Sequence, residues 1–331
     1  MLTVLLLLKV LHLVIIASIT TKVKSWSLSL LSIAVSFTLC DAGFMFVSRS
    51  FGTGYPLADQ NWVRKHWNPI NKQGYRAPEL NAKLFDNKKN VLVVGSSYTA
   101  GDGIDEPEQR FTNKLDAKLP DGFAVHNLGL CGSEALDAYK RLTEYEIEPD
   151  VIILAHTIKS IKALIDPSKA KIPSYRLDEE INPFAGFLVK NSYIINYAFW
   201  KFYAPEHLKI RYLANLDTHP ISLYLDREKL KRHLNNLNKF VNYCEHRSIP
   251  LIVVSFPSLT EHMERTVKVV TNPIEHYFFE LDVTTVSVFD LVRDLSVEER
   301  TVNSTDAHPS IEVHSRIADE LFAILEGKGL I

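Results

Sequence analysis

Five short apolar runs recur along the second part of the chain, and they limit its fold more than any other feature. NVLVVG (90–95), FAVHNLG (123–129), VIILAH (151–156), IPLIVVSF (249–256) and TTVSVFDL (284–291) are β-branched and continuous rather than alternating. A strand that is apolar at every position is buried on both faces, as in a parallel sheet covered by helices. Helical periodicity fills the intervals at 107–119, 133–146, 226–247 and 310–326. This alternation predicts right-handed βαβ crossovers and a three-layer α/β/α sandwich.

Composition removes several function classes. A chain of 331 residues, 46% of them hydrophobic, has ample material for a core, and its formal charge of -2 provides no field to gather nucleic acid. No nucleic-acid partner is expected. Cys40, Cys131 and Cys244 lie far apart, without CxxC pairs or Cys/His clusters, so neither a disulfide scaffold nor a metal site is expected. The turn GSSYTAGDG (95–103) lacks the lysine that a phosphate loop places after its glycine, and no cofactor is expected.

The first fifty residues are different material. Residues 2–18 and 27–47 are near-continuous apolar runs separated by TTKVKS, each close to the roughly 20 residues that cross a bilayer core. The second run is the better span, although it contains Asp41; the first carries Lys9, costing about 2.5–3.5 kcal/mol on insertion scales. Whether one run spans or both do, Lys22 and Lys24 prefer the cytoplasm, and the chain after residue 48 is expected on the periplasmic or outer face of a cytoplasmic membrane. Arg49, Arg64 and Lys65 pull the other way. The expected organisation is a membrane anchor over 1–48, a linker packing down over 49–87 through Trp62, Trp67 and Tyr75, and the sheet-containing domain over 88–331. Residues 157–225 form an aromatic-rich excursion, expected as a helical insert on the sheet edge or as a wall near the active face.

Ligands of open α/β sheets gather at the carboxyl ends of the strands. Ser96, Ser97, Asn127 and His156 occupy such ends. NSTDAHPSIEVHSRIADEL (303–321) places Asp306 two residues before His308, ahead of an amphipathic helix. Such a pair can hold a carboxylate against one imidazole nitrogen and aim the other at a nucleophile. His126, His156 and His314 read as hydrogen-bonded packing residues.

On these segments the chain resembles the SGNH, or GDSL-like, hydrolases. GSSYTAGDG is similar to the family's first block, HNLGLCG (126–132) to its second, PDVIILAH (149–156) to its third strand and TDAHPSIEVHSRIADEL to its last block. NKQGYR (71–76) is similar to what precedes the domain in membrane-anchored bacterial members. The resemblance covers 88–326 and implies a flavodoxin-like five-stranded parallel sheet. It also implies Ser97 as nucleophile, His308 as base, Asp306 as the group that orients it, and an oxyanion hole from the backbone N–H groups of Ser97 and Gly129. The implied reaction is ester hydrolysis or O-acyl transfer through an acyl-serine, on acylated cell-surface glycans or another small ester.

Two departures stand out. Ser96 occupies the place of the family's aspartate, and no asparagine occurs from 151 to 181, where the third block carries an oxyanion donor. His156, Thr157 and Lys159 are the candidate replacements. Loss of such a donor is worth roughly 2.7–4 kcal/mol of transition-state stabilisation, which leaves open a weakly active or inactive relative that binds glycan or joins a membrane polysaccharide machine.

Overall fold

The computed structural model describes residues 25–47, 57–164, 182–203, 221–303 and 306–331. The first apolar run, with Lys9, Lys22 and Lys24, lies outside them, as do Arg49, 165–181 and 204–220 of the long excursion. The described residues fall into two compact units.

The smaller unit contains the 23-residue helix Ser25–Val47, with the helices Pro183–Asn191 and Tyr193–Ala198. Its organising contact is Asp41, the one carboxylate in the second apolar run. Asp41 is buried and accepts hydrogen bonds from Ser192 Oγ at 2.6 Å and from the backbone N–H of Ile194 at 3.0 Å. The residues 182–203 thus group with the N-terminal helix rather than with the sheet. Burying a charge without partners would be costly, and here the first turn of a helix provides them. Leu30, Ile33, Phe37 and Leu39 leave that helix exposed. Among the described residues, no helix is long and apolar enough to cross a membrane.

The larger unit is built on a five-stranded parallel sheet: β1 (Lys89–Gly95), β2 (Phe123–Gly129), β3 (Val151–Thr157), β4 (Leu251–Phe256) and β5 (Thr284–Ser287). The spatial order is β2-β1-β3-β4-β5, the flavodoxin-like arrangement. Side chains alternate between faces, so each continuous apolar run feeds two cores. Leu92, Val94, Ile152, Leu154 and Val253 meet the helices Ala135–Glu144, Arg227–Arg247 and Asn272–Phe279 on one face. Val91, Val93, Ile153, Ile252 and Val254 meet the helices Phe111–Lys118 and Ile311–Gly327 on the other. The result is the three-layer α/β/α sandwich.

Strand order reverses between β1 and β3, and ligands of such sheets bind in the crevice beyond the strand ends there. At this end Gly95 of β1 lies in register with Gly129 of β2. A separate antiparallel pair, β6 (Thr301–Asn303) and β7 (Asp306–Pro309), precedes the last helix. Residues two apart on a strand face the same way, so β7 holds the side chains of Asp306 and His308 together.

Candidate active site

The first sheet strand breaks where glycine becomes obligatory. A Cβ on Gly95 would fall 2.1 Å from Thr99 Oγ1 and 2.9 Å from Ala155, so the chain can turn here only with hydrogen as the side chain. Ser96 is extended and buried, and Ser97 opens the four-residue helix Ser97–Ala100, which ends at Gly101 in the left-handed region at φ +76°. Glycine adopts that conformation without the steric cost other residues bear.

Side chains from distant elements gather the carbonyls around this turn. Asn127 Nδ2 donates to Thr99 O at 2.7 Å, Arg110 Nη1 to Ala100 O at 3.2 Å, and Arg76 Nη1 to Gly101 O at 2.8 Å. Arg141 donates to Gly95 O at 2.8 Å and Leu128 O at 3.1 Å, tying the ends of β1 and β2 together. Arg76 also lies against the rings of Trp62 and Trp67 at 5.5 and 5.1 Å, and Trp62 Nε1 donates to Asp105 at 2.7 Å. The polar-aromatic stretch before the sheet thereby reaches the loop that follows Ser97.

The structure brings Ser97, His308 and Asp306 into one line. His308 Nε2 is 2.9 Å from Ser97 Oγ, and His308 Nδ1 is 2.5 Å from Asp306 Oδ1. The same carboxylate oxygen accepts the backbone N–H of His308 at 3.1 Å. Tyr98 braces the hairpin, its ring edge-on to His308 and its hydroxyl donating to Ala307 O at 3.3 Å. Asp306 is almost fully buried. Burial pushes its carboxyl pKa up, but the charge and hydrogen bonds of His308 more than offset this and hold it below the usual range. For His308, burial pushes the pKa down, whereas Asp306, and after it Asp102, more than offset the loss and leave it raised; Lys159 opposes them.

Gly129 was expected to supply the second oxyanion donor through its backbone N–H. The Gly129 N–H donates to Asn127 Oδ1 at 2.9 Å, two residues back along its own chain, and so is already committed. Gly129 is instead a close-packing position, where a Cβ would fall 2.3 Å from Ala100 N. Ser97 N–H opens a helix, where backbone donors have no intrahelical acceptor. Gly132, the other glycine of that turn, has φ +76°.

Of the candidate replacements for the missing asparagine, His156 is fully buried and turned into a cluster, its Nε2 3.0 Å from His233 Nε2 and 3.3 Å from the Tyr224 hydroxyl. Burial, with His233 second, pushes its pKa well down. Thr157 is also buried, and its backbone N–H is taken by Ser160 Oγ. Lys159 alone acts on His308 and Asp306 through its charge.

The remaining histidines are packing residues. His126 bridges Asn90 and the Tyr145 hydroxyl, with its pKa pushed down to about 4 by burial. His314 Nδ1 accepts the backbone N–H of Phe111 and stacks on its ring, with its pKa pushed down to about 3, again by burial first. No cluster of His, Cys, Asp and Glu able to hold a metal occurs among the described residues.

Sheet order and site together define an α/β protein of flavodoxin-like topology that holds a serine, a histidine and an aspartate in hydrogen-bonded line at the carboxyl edge of its sheet. No family model matches the chain, and no curated protein matches it. Among solved structures it is similar to a member of the lipolytic protein G-D-S-L family from Veillonella parvula, at 11% identity, 72% of this chain, 98% of that one and a TM-score of 0.42. A lipase/acylhydrolase from Enterococcus faecalis aligns at 12% identity over 72% of this chain and 96% of that one, with a TM-score of 0.41. A GDSL-like lipase from Bacteroides thetaiotaomicron aligns at 12% identity over 72% and 89%, also with a TM-score of 0.41.

The raised His308 pKa gives a pH prediction. A group raised on folding adds stability in full below its unfolded value, near 6.5, and that contribution fades as pH rises through the folded value. In an NMR titration of the full chain, the His308 imidazole is expected to titrate above 6.5, and Asp306→Asn to move it downward. A His308 that titrates below 6.5 in the unchanged chain contradicts the balance of charges described here.

Proposed function

We propose that the chain is a serine hydrolase of the SGNH type that cleaves or transfers acyl groups held in ester linkage. The observation that carries this reading is the line from Ser97 Oγ through His308 to Asp306. A serine hydroxyl is a weak nucleophile at neutral pH and needs a base within hydrogen-bond reach. As Ser97 Oγ attacks the ester carbonyl, its proton passes to His308 Nε2, and Asp306 stabilises the imidazolium formed. The carbonyl oxygen takes up negative charge facing the Ser97 N–H, with Lys159 as a nearby cation. Collapse expels the alcohol with the proton from Nε2 and leaves an acyl-serine. Water, or a hydroxyl of an acceptor, then gives its proton to His308 and takes the acyl group, and His308 returns that proton to Ser97 Oγ as it leaves. Water as acceptor gives an esterase; an acceptor hydroxyl gives an O-acyltransferase, and the family resemblance favours acylated cell-surface glycans as substrate.

A second reading has its own support. The third block lacks its asparagine and Gly129 N–H is engaged by Asn127, so a chain that binds an acylated glycan and turns it over slowly or not at all is the alternative. Hydrolysis of p-nitrophenyl acetate by the full chain separates the two. The hydrolase reading expects turnover that falls on the order of 10⁶-fold, or to the uncatalysed rate, in Ser97→Ala, as when the nucleophile of such a unit is removed. Equal rates in both proteins favour the binding reading.

We infer further that the N-terminal segment sits at a cytoplasmic membrane with the sheet domain on its periplasmic or outer side. Lys9, Lys22 and Lys24 among the apolar runs support this, as do the exposed Leu30, Ile33, Phe37 and Leu39. Cys131 is exposed and reports on sidedness. A membrane-impermeant maleimide is expected to label it in intact spheroplasts, with Cys131→Ser as the control. Labelling only after lysis places the domain inside.

A further inference from the structure

His308 Nε2 meets more than Ser97. Asp102, in the loop after the nucleophile's helix, places Oδ2 3.6 Å from that same nitrogen, with its side chain 30% exposed. On its far side, Asp102 Oδ2 is 3.9 Å from Cys131 Sγ. Cys131 in turn lines a groove of about 460 Å³, whose walls include Tyr75, Asp137, Lys140, Arg141 and Glu144. Asp102 thus stands between the His308 ring and Cys131 of the groove wall, and the acyl-transfer steps above do not use its partly exposed carboxylate.

The chemistry of this groove selects its occupant. Carboxylates, the Lys140 ammonium and the Arg141 guanidinium lie along one groove, with Lys140 Nζ 3.8 Å from Glu144. Such walls offer hydrogen-bond acceptors and donors together, and solvating them with a hydrocarbon chain would leave those groups unpaired. Anionic groups would face Asp102 at the threshold, with Asp137 and Glu144 beyond it. A neutral alcohol carrying several hydroxyls satisfies both signs of wall at once.

We propose that Asp102 is a specificity residue, and that it accepts a hydrogen bond from a hydroxyl next to the ester on the alcohol side of a polyhydroxylated substrate whose remainder lies in the groove lined by Cys131, Asp137 and Lys140. The inference rests on the reading of Ser97 as nucleophile and adds to it the side of the site from which the alcohol enters and leaves. In that position the alcohol oxygen lies beside His308 Nε2, the nitrogen that returns its proton. The same seat serves a sugar hydroxyl arriving as acyl acceptor.

Binding in the absence of turnover tests the inference. Ligand-observed NMR titrations of the full chain carrying Ser97→Ala would compare glycerol monoacetate, with two free hydroxyls, against propyl acetate, with none. The expected result is saturable binding of the glycerol ester at least tenfold tighter than that of the propyl ester. Adding Asp102→Ala should abolish that preference, whereas Asp102→Asn, which keeps an acceptor oxygen, should retain most of it. A preference that survives Asp102→Ala, or equal binding of the two esters before it, overturns the inference. Labelling of the unsubstituted chain by a fluorophosphonate is scored separately. Its absence at Ser97 counts against the hydrolase reading, while the titrations still decide the role of Asp102.

Discussion

The site depends on three largely buried arginines that hold the backbone around Ser97. A helix of four residues closes its own hydrogen bonds only onto the Ser96 and Ser97 carbonyls, and those of Thr99 and Ala100 need partners from elsewhere in the interior. Arg76, Arg110 and Asn127 take the carbonyls of Gly101, Ala100 and Thr99, and Arg141 takes that of Gly95. Hydrogen bonds to a charged donor contribute about 1.5–3 kcal/mol each, so this backbone is fixed far more firmly than its length suggests. Burial lowers the pKa of Arg110 to about 9, with Arg76 as the next cause, and the guanidinium still holds its proton near neutrality.

The sheet supplies the rest of the pre-organisation. Its order reverses at β1 and β3, so the crevice beyond those strands is where a turn can present a side chain outward. The hairpin before the last helix brings Asp306 and His308 to that crevice from more than two hundred residues away. Because one carboxylate oxygen meets both the ring and the backbone of His308, the imidazole has little rotational freedom left. Burial alone would disfavour its charged form; Asp306 reverses that balance and favours the imidazolium that the proposed reaction requires.

The three central strands were legible because their continuous apolar runs are buried on both faces, whereas β2 and β5, at the sheet's edges, were found in place but are only partly buried. Ser97, Asp306 and His308 were legible as residue types at strand ends and before a helix. What could not be read was which donors are already committed. Asn127 looked like a ligand-facing residue, yet its amide oxygen captures the Gly129 N–H and its amide nitrogen holds Thr99. Gly129 is needed for the close approach of Ala100 rather than for a free N–H. The arginine contacts were equally invisible, since each joins residues whose proximity exists only after the sheet has formed. Asp41 in an apolar run looked like a flaw in a span, and its partners, Ser192 and Ile194, lie 151 and 153 residues further along. Asp102 drew no attention because its meaning comes from where His308 arrives.

The central claim is that Ser97 Oγ carries the acyl group. Acid quenching during turnover of p-nitrophenyl acetate, followed by peptide mass mapping of the full chain, addresses it directly. The account predicts an acetyl group on Ser97, absent when His308 is replaced by alanine. An acetyl group on Ser96 or Cys131, or one on Ser97 that forms equally well without His308, would contradict it.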